Sequence, residues 1–315
     1  MIRYESVRLT STIDLLTKIE SFLGVCGWEL RRENDKILFA KDSKGGALCF
    51  CFLSPNFNYT YSDKSGSTTI TPNCIIYMAD DFNASLDFTK NIVTDLPNLQ
   101  SIAHFEVNTT GAEFNKAYLI ADSESFALYI DNETKWNLFF TSGHIAKTHE
   151  FNGGRVAYSS MRRDHSYFYG HFRYFGVIQN SDYKPFSDQT KTLFSLGGEW
   201  NWVENLKNSK VLTNFIDKVS DNQLSALSAV PLLNVGKSAL SGLYTMITPN
   251  FFYLNNQNIF VHAGDFDFVR VLNTKNEVKN GQILHLGDEK FMILCPYLSS
   301  TSTSGNFYAM AVKIA

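Results

Sequence analysis

With 315 residues, 44% hydrophobic and 14% aromatic, the chain has material for a sizeable core, in one large or two ordinary domains, without staples. Its 28 basic and 31 acidic residues leave a formal net charge of -3, so the overall field gives no reason to expect a polyanionic partner; the densest basic group is Arg155 with Arg162 and Arg163. Five cysteines form neither a CxxC pair nor a secreted framework, and the odd count leaves a thiol unpaired in any intramolecular scheme, which fits a reducing compartment.

The segment Met1 to Arg8 carries charges every two to three residues and lacks the apolar stretch of a secretory signal, so no export is expected. The longest apolar run, Ala47 to Leu53, falls far short of the roughly 20 residues of a membrane helix, so no membrane-spanning segment and a soluble chain are expected. Ser11 or Thr12 can cap a helix with Ile13, Leu16, Ile19, Phe22 and Leu23 on one face, ended by Gly24 and Gly27. Next, Trp28 to Glu33 and Lys36 to Lys41 flank an Asn34-Asp35 turn, and Gly45-Gly46 leads into an apolar strand ending near Leu53. The result is a helix followed by a three-stranded antiparallel meander.

Residues 54 to 74 are rich in Ser, Thr, Asn and Tyr and are broken by Pro55, Gly66 and Pro72, which predicts a long exposed loop. Its Phe57, Tyr59 and Tyr61 can anchor an interface, because an aromatic ring buries much area at little entropic cost. Asp80 to Ile92 reads as a weak helix or irregular segment. Ile102 to Val107, Lys116 to Ala121, Phe126 to Ile130 and Trp136 to Thr141 read as strands, followed by Gly143-His144-Ile145-Ala146-Lys147 and by Gly153-Gly154 ahead of Arg155 to Ser160. The aromatic cluster from Tyr167 to Phe175, including Tyr169 and Phe172, suits a core strand or a contact surface. Leu206 to Lys218 and Asn222 to Val230 are predicted as short helices. From Gly264 to Tyr297 short strands alternate with Gly-bearing turns. The fold class is therefore α+β and β-dominated: an N-terminal helix-plus-meander unit over residues 1–125, then a larger β-rich unit over 126–315.

No pattern in the chain specifies catalysis. His144 with His149, and His165 with His171, are spaced five and six apart in segments broken by Gly or aromatic runs, which does not place two ligands on one helix face. Cys49 and Cys51 fall on one face of an apolar strand with no cation to lower a thiol pKa, so a buried structural role is expected. Ser241-Gly242 lacks the leading Gly of a nucleophile elbow. Gly236-Lys237-Ser238 ends like a phosphate loop, but Pro231 stands where its first Gly belongs. The carboxylate pairs Asp80-Asp81, Asp265-Asp267 and Asp288-Glu289 sit beside glycines and at strand ends, as turn residues do.

Two segments resemble, in the same order, structural proteins encoded in the virion-assembly clusters of tailed bacteriophages. Phe126 to Ser160 follows their strand, Gly-x-Ile/Leu, polar linker, Gly-Gly, strand, Ser order. Gly264 to Tyr297 follows their Arg-x-Leu-Asn piece, Gly, "Ile-x-Leu-Gly-Gly" turn and final apolar strand, with Asp288 in place of the second Gly. The first 54 residues match loosely. The resemblance implies a non-enzymatic structural protein of the head-to-tail neck, collar or tail, assembled in the host cytoplasm and resident in the virion. Its partners would be copies of itself and neighbouring virion proteins, with no direct nucleic acid and no cofactor. Phe57, Tyr59, Tyr61, Tyr167, Tyr169 and Phe172 are the candidate interface residues. The alternative is a peripheral receptor- or glycan-binding module whose aromatics stack on sugars. A carbohydrate-cleaving enzyme would need two carboxylates facing across a groove, about 5 to 10 Å apart.

Overall fold

The computed structural model describes residues 1–35, 37–52, 59–63, 66–70, 74–79, 100–105, 115–132, 136–163, 190–203, 210–214, 245–273, 278–294 and 308–315. The chain starts with β1 (Arg3–Leu9), α1 (Thr12–Val25), β2 (Glu29–Asn34), β3 (Ile37–Lys41) and β4 (Ala47–Phe52). It continues through β5 (Tyr59–Asp63), β6 (Gly66–Ile70), β7 (Cys74–Ala79), β8 (Gln100–Phe105), β9 (Asn115–Ala121), β10 (Phe126–Asn132) and β11 (Trp136–His144). Then come β12 (Ala146–Lys147), β13 (Gly153–Arg163), β14 (Thr190–Leu196), β15 (Glu199–Trp202), β16 (Val211–Thr213), β17 (Met246–Ile247) and β18 (Asn250–Leu254). The last strands are β19 (Phe260–Asp265), β20 (Val269–Asn273), β21 (Ile283–Leu286), β22 (Glu289–Leu294) and β23 (Tyr308–Lys313).

The α1 helix forms as its sequence dictates. Ser11 is extended at the N-cap and its Oγ accepts from Asp14 N at 3.0 Å, while Gly27 at φ +87° lets Trp28 N close back on Leu23 O at 3.1 Å. Leu15, Leu16, Ile19, Phe22 and Leu23 are buried. Ile13, assigned to the core face from its spacing, is 47% exposed. At 100° per residue it stands roughly 120° around the helix from Ile19, the centre of the buried arc.

Every strand pair is antiparallel, in sheets ordered β1-β9-β10-β11-β13-β14-β15, β2-β3-β4-β7-β8, β12-β19-β18-β16, β17-β20-β23-β22-β21 and the hairpin β5-β6. The expected meander is β2-β3-β4, extended to five strands by β7 and β8. The seven-stranded sheet is the middle layer. Along β10, Phe126, Leu128 and Ile130 enter a core shared with α1 and the β2–β8 sheet, while Ala127 and Tyr129 enter a second core shared with the C-terminal sheets. The same split divides Leu138 and Phe140 from Phe139 on β11, and Ala157 from Val156 and Tyr158 on β13. A strand buried on both faces needs apolar residues at every position, which is why these read as continuous apolar runs.

Several elements differ from the sequence reading. The Met1 to Arg8 segment, given no element, supplies β1, which pairs with β9 from Arg3↔Ala121 to Leu9↔Asn115. Residues 54 to 74 were expected as one long loop, but Tyr59–Asp63 and Gly66–Ile70 form a hairpin. Tyr and Thr favour extended backbone, and no proline falls between Pro55 and Pro72 to break it. The helix expected over Leu206 to Lys218 is overturned at its described part, where Val211–Thr213 pairs with Tyr253 to Phe251; the β-branched pair Val211 and Thr213 suits a strand. The segments 80–92 and 222–230 lie outside the described residues. At the boundary drawn at residue 125, β9 and β10 form a hairpin with Phe126 opposite Ala121, so the middle sheet passes through it.

Candidate functional site

Chemistry-bearing side chains concentrate where the layers meet. Asp42 follows β3 and caps its own turn: its Oδ1 accepts from Lys44 N and Gly46 N, both at 2.9 Å, and its N–H donates to Gly46 O at 2.9 Å. This leaves Oδ2 to face the middle sheet. There His144 on β11 and Arg155 on β13 stand directly opposite each other. His144 Nε2 is 3.1 Å from Asp42 Oδ2, and Arg155 Nε is 3.7 Å from the same oxygen. With the carboxylate as acceptor, Nε2 is the protonated ring nitrogen. Arg155 Nη1 donates to Ala47 O at 3.1 Å, its backbone N–H donates to Ser195 Oγ at 2.8 Å, and its Cζ lies 5.7 Å from the Trp200 ring centroid.

The cluster is nearly dry, with side-chain exposures of 1% for Asp42, 5% for Arg155 and 15% for His144. Burial pushes the Asp42 carboxyl up, but the His144 hydrogen bond, the Arg155 charge, the His144 charge and the Gly46 N–H together outweigh it. The group is held below the ordinary carboxylate range. Gly46 makes the approach possible, since a Cβ there would lie 2.3 Å from Arg155 Cζ and 2.5 Å from Asp42 Oδ2. The arrangement ties the β3–β4 turn to the middle sheet. Arg155, grouped from sequence with Arg162 and Arg163 as a basic patch, is thus an interior residue.

A second group sits on the sheet of β12, β19, β18 and β16. His149 Nε2 and the Tyr253 hydroxyl share a hydrogen bond of 2.9 Å, and the rings of His149, Phe151 and Tyr253 pack at centroid distances of 5.3 to 5.8 Å. Lys147 Nζ lies 4.8 Å from the Phe151 centroid and donates to Phe151 O at 2.8 Å. Near the other end of the strands, Asp265 Oδ1 accepts from Asn250 Nδ2 and lies 2.9 Å from His262 Nε2, and Asn250 in turn bonds Asn214. His144 and His149 therefore serve different neighbours. Among the described residues no three His, Cys, Asp or Glu side chains gather as a metal-holding group, and no helix is long and apolar enough to cross a membrane.

Two of the other carboxylates singled out from the sequence are engaged by nearby cations. Asp267 Oδ1 is 3.4 Å from Arg270 Nη2, Glu289 pairs with Lys313, and Asp288 is exposed in the β21–β22 turn. Cys49 is buried. Of the candidate interface residues, Tyr59 and Tyr61 lie on β5 opposite Ile70 and Thr68, while Phe57, Tyr167, Tyr169 and Phe172 lie outside the described residues. So do Asp80-Asp81, His165, His171, Gly236 to Ser238 and Ser241-Gly242. Sequence reasoning passed over Asp42 and met Gly46 only as part of the Gly45-Gly46 lead into a strand; the signal for the pair is only a turn-forming Asp four residues ahead of a Gly. No protein-family model matches this chain, and no curated protein matches it.

Proposed function

We propose that this chain is a non-enzymatic structural protein working in repeated copies, in the neck, collar or tail of a tailed phage virion. One observation supports the non-enzymatic part: the buried titratable cluster found among the described residues joins one layer to the next. Asp42, His144 and Arg155 fasten the β3–β4 turn to the middle sheet. Asn280 does likewise between the C-terminal segment and β10, donating to Tyr129 Oη at 3.0 Å and Asp131 Oδ2 at 2.9 Å. A body cross-tied in this way suits a part that bears load and acts through its surfaces. The place in a virion rests on the resemblance of Phe126 to Ser160 and Gly264 to Tyr297 to phage structural proteins. Partners in this reading are further copies of the chain and neighbouring virion proteins.

The glycan-binding alternative draws on half-exposed rings such as Tyr253 and Phe151. Those rings pack on one another, and the His149 and Tyr253 polar tips are bonded to each other, which leaves the assembly reading first. Light scattering of the purified protein at two concentrations, beside a protein inventory of phage particles, tests it. A ring-sized oligomer, or a symmetric copy number in virions, is the expected result. A strict monomer absent from particles overturns it.

A further inference from the structure

The chain holds two Asn-Gly pairs, Asn152-Gly153 and Asn280-Gly281. An asparagine ahead of a glycine is chemically labile, because the glycine amide nitrogen can attack the asparagine side-chain amide and no Cβ on the glycine shields that approach. The fold treats the two pairs in opposite ways.

Asn280 is held at both ends of the reaction. Its Nδ2 donates to Tyr129 Oη at 3.0 Å and to Asp131 Oδ2 at 2.9 Å, and the Gly281 N–H donates to Ile293 O at 2.8 Å. Nucleophile and leaving group are both tied, and three hydrogen bonds must open before they can meet.

Asn152 stands exposed at the entrance to β13. Its backbone O accepts from Gly197 N at 2.8 Å. That carbonyl and the Gly153 N–H belong to one trans peptide unit and point in opposite directions, so the N–H faces away from β14. On that side β11 pairs with β13 only as far as His144↔Arg155, and Ile145 beyond it gives its N–H to Gly154 O. Among the described residues nothing bonds the Gly153 N–H or the Asn152 side-chain amide. The glycine is itself imposed by the fold: at φ +121°, a Cβ on Gly153 would lie 2.2 Å from Ser195 O, a backbone atom.

We propose that Asn152 is a site of spontaneous deamidation and isomerisation, with water as the co-reactant, and that Asn280 is protected from the same reaction. Solvent base takes the Gly153 amide proton, and the negative charge spreads onto Asn152 O, where the Gly197 N–H already stands. The nitrogen then bonds to Asn152 Cγ and the Cγ–Nδ2 bond breaks. Nδ2 leaves as ammonia after taking a proton from water, which regenerates the base. Water opens the resulting succinimide at either carbonyl. Opening at Cγ gives aspartate. Opening at the backbone carbonyl gives isoaspartate, which routes the chain through the side chain, one methylene longer, and leaves a free carboxylate beside Gly197 N. Either product adds a negative charge at the start of β13.

Peptide mapping by mass spectrometry follows both sites while the intact protein ages in mildly alkaline buffer. Asn152 is expected to convert to aspartate and isoaspartate at least about tenfold faster than Asn280, whose hydrogen bonds must first open. In denaturant the two pairs are expected to convert at similar rates, since the protection belongs to the fold. Asn152→Gln keeps an exposed amide whose attack would close a larger ring, and it should remove the acidic species that accumulates first on isoelectric focusing. An Asn152 that stays intact in the folded protein, or an Asn280 that converts as fast, overturns the proposal.

Discussion

Asp42 shows how one turn residue governs an interior. Its carboxylate is a counter-charge to a buried guanidinium, and removing one member of a buried pair typically costs about 3–5 kcal/mol. Asp42→Asn keeps the acceptor for Lys44 N and Gly46 N but leaves Arg155 without the Asp42 charge it faces, so chemical denaturation at neutral pH should show a loss near the lower end of that range. The pH dependence has a definite sign. The folded pKa lies below the ordinary carboxylate value, so the stabilisation is fully present above the unfolded pKa and is lost as pH falls through the folded value. The parent should therefore lose stability below about pH 4, while Asp42→Asn should show a flatter acid limb there. Equal slopes in the two proteins would mean that the Asp42 contacts do not favour the charged form.

At the scale of elements, glycine decides where strands come close. Gly264 has φ +153°, and a Cβ on it would lie 2.1 Å from Ala146 O on the neighbouring β12. That obstacle is backbone, so it cannot swing aside, and Gly264→Ala should destabilise by more than about 1 kcal/mol, read as a lowered melting temperature. The elements legible from sequence were those specified locally. The α1 cap and glycine stop, the meander after it, and the strands from β9 to β13 carry their own signals in apolar runs and turn residues. The elements that escaped are those with weak local signals. The β1 strand buries only Val7 and Leu9, exposes Arg3, Glu5 and Arg8, and is held by β9, more than a hundred residues later. Three-residue β16 is too short for any period to show.

For the whole molecule, the consequence of three layers is unequal stability. The amides of β10 and β11, in strands flanked by partners and covered on both faces, are expected to exchange hydrogen only through global unfolding. Those of the β1 edge should exchange by local opening, orders of magnitude faster; similar protection in both would contradict the layered core. The sequence by itself determined the class, α+β and β-dominated with a helix near the N-terminus, because side-chain period, caps and turn chemistry act over a few neighbours. Only the tertiary structure decided which strands lie side by side and which side chains share an interior. Asp42 meets His144 across 102 residues, a pairing that depends on sheet register and layer packing, and no local pattern encodes it.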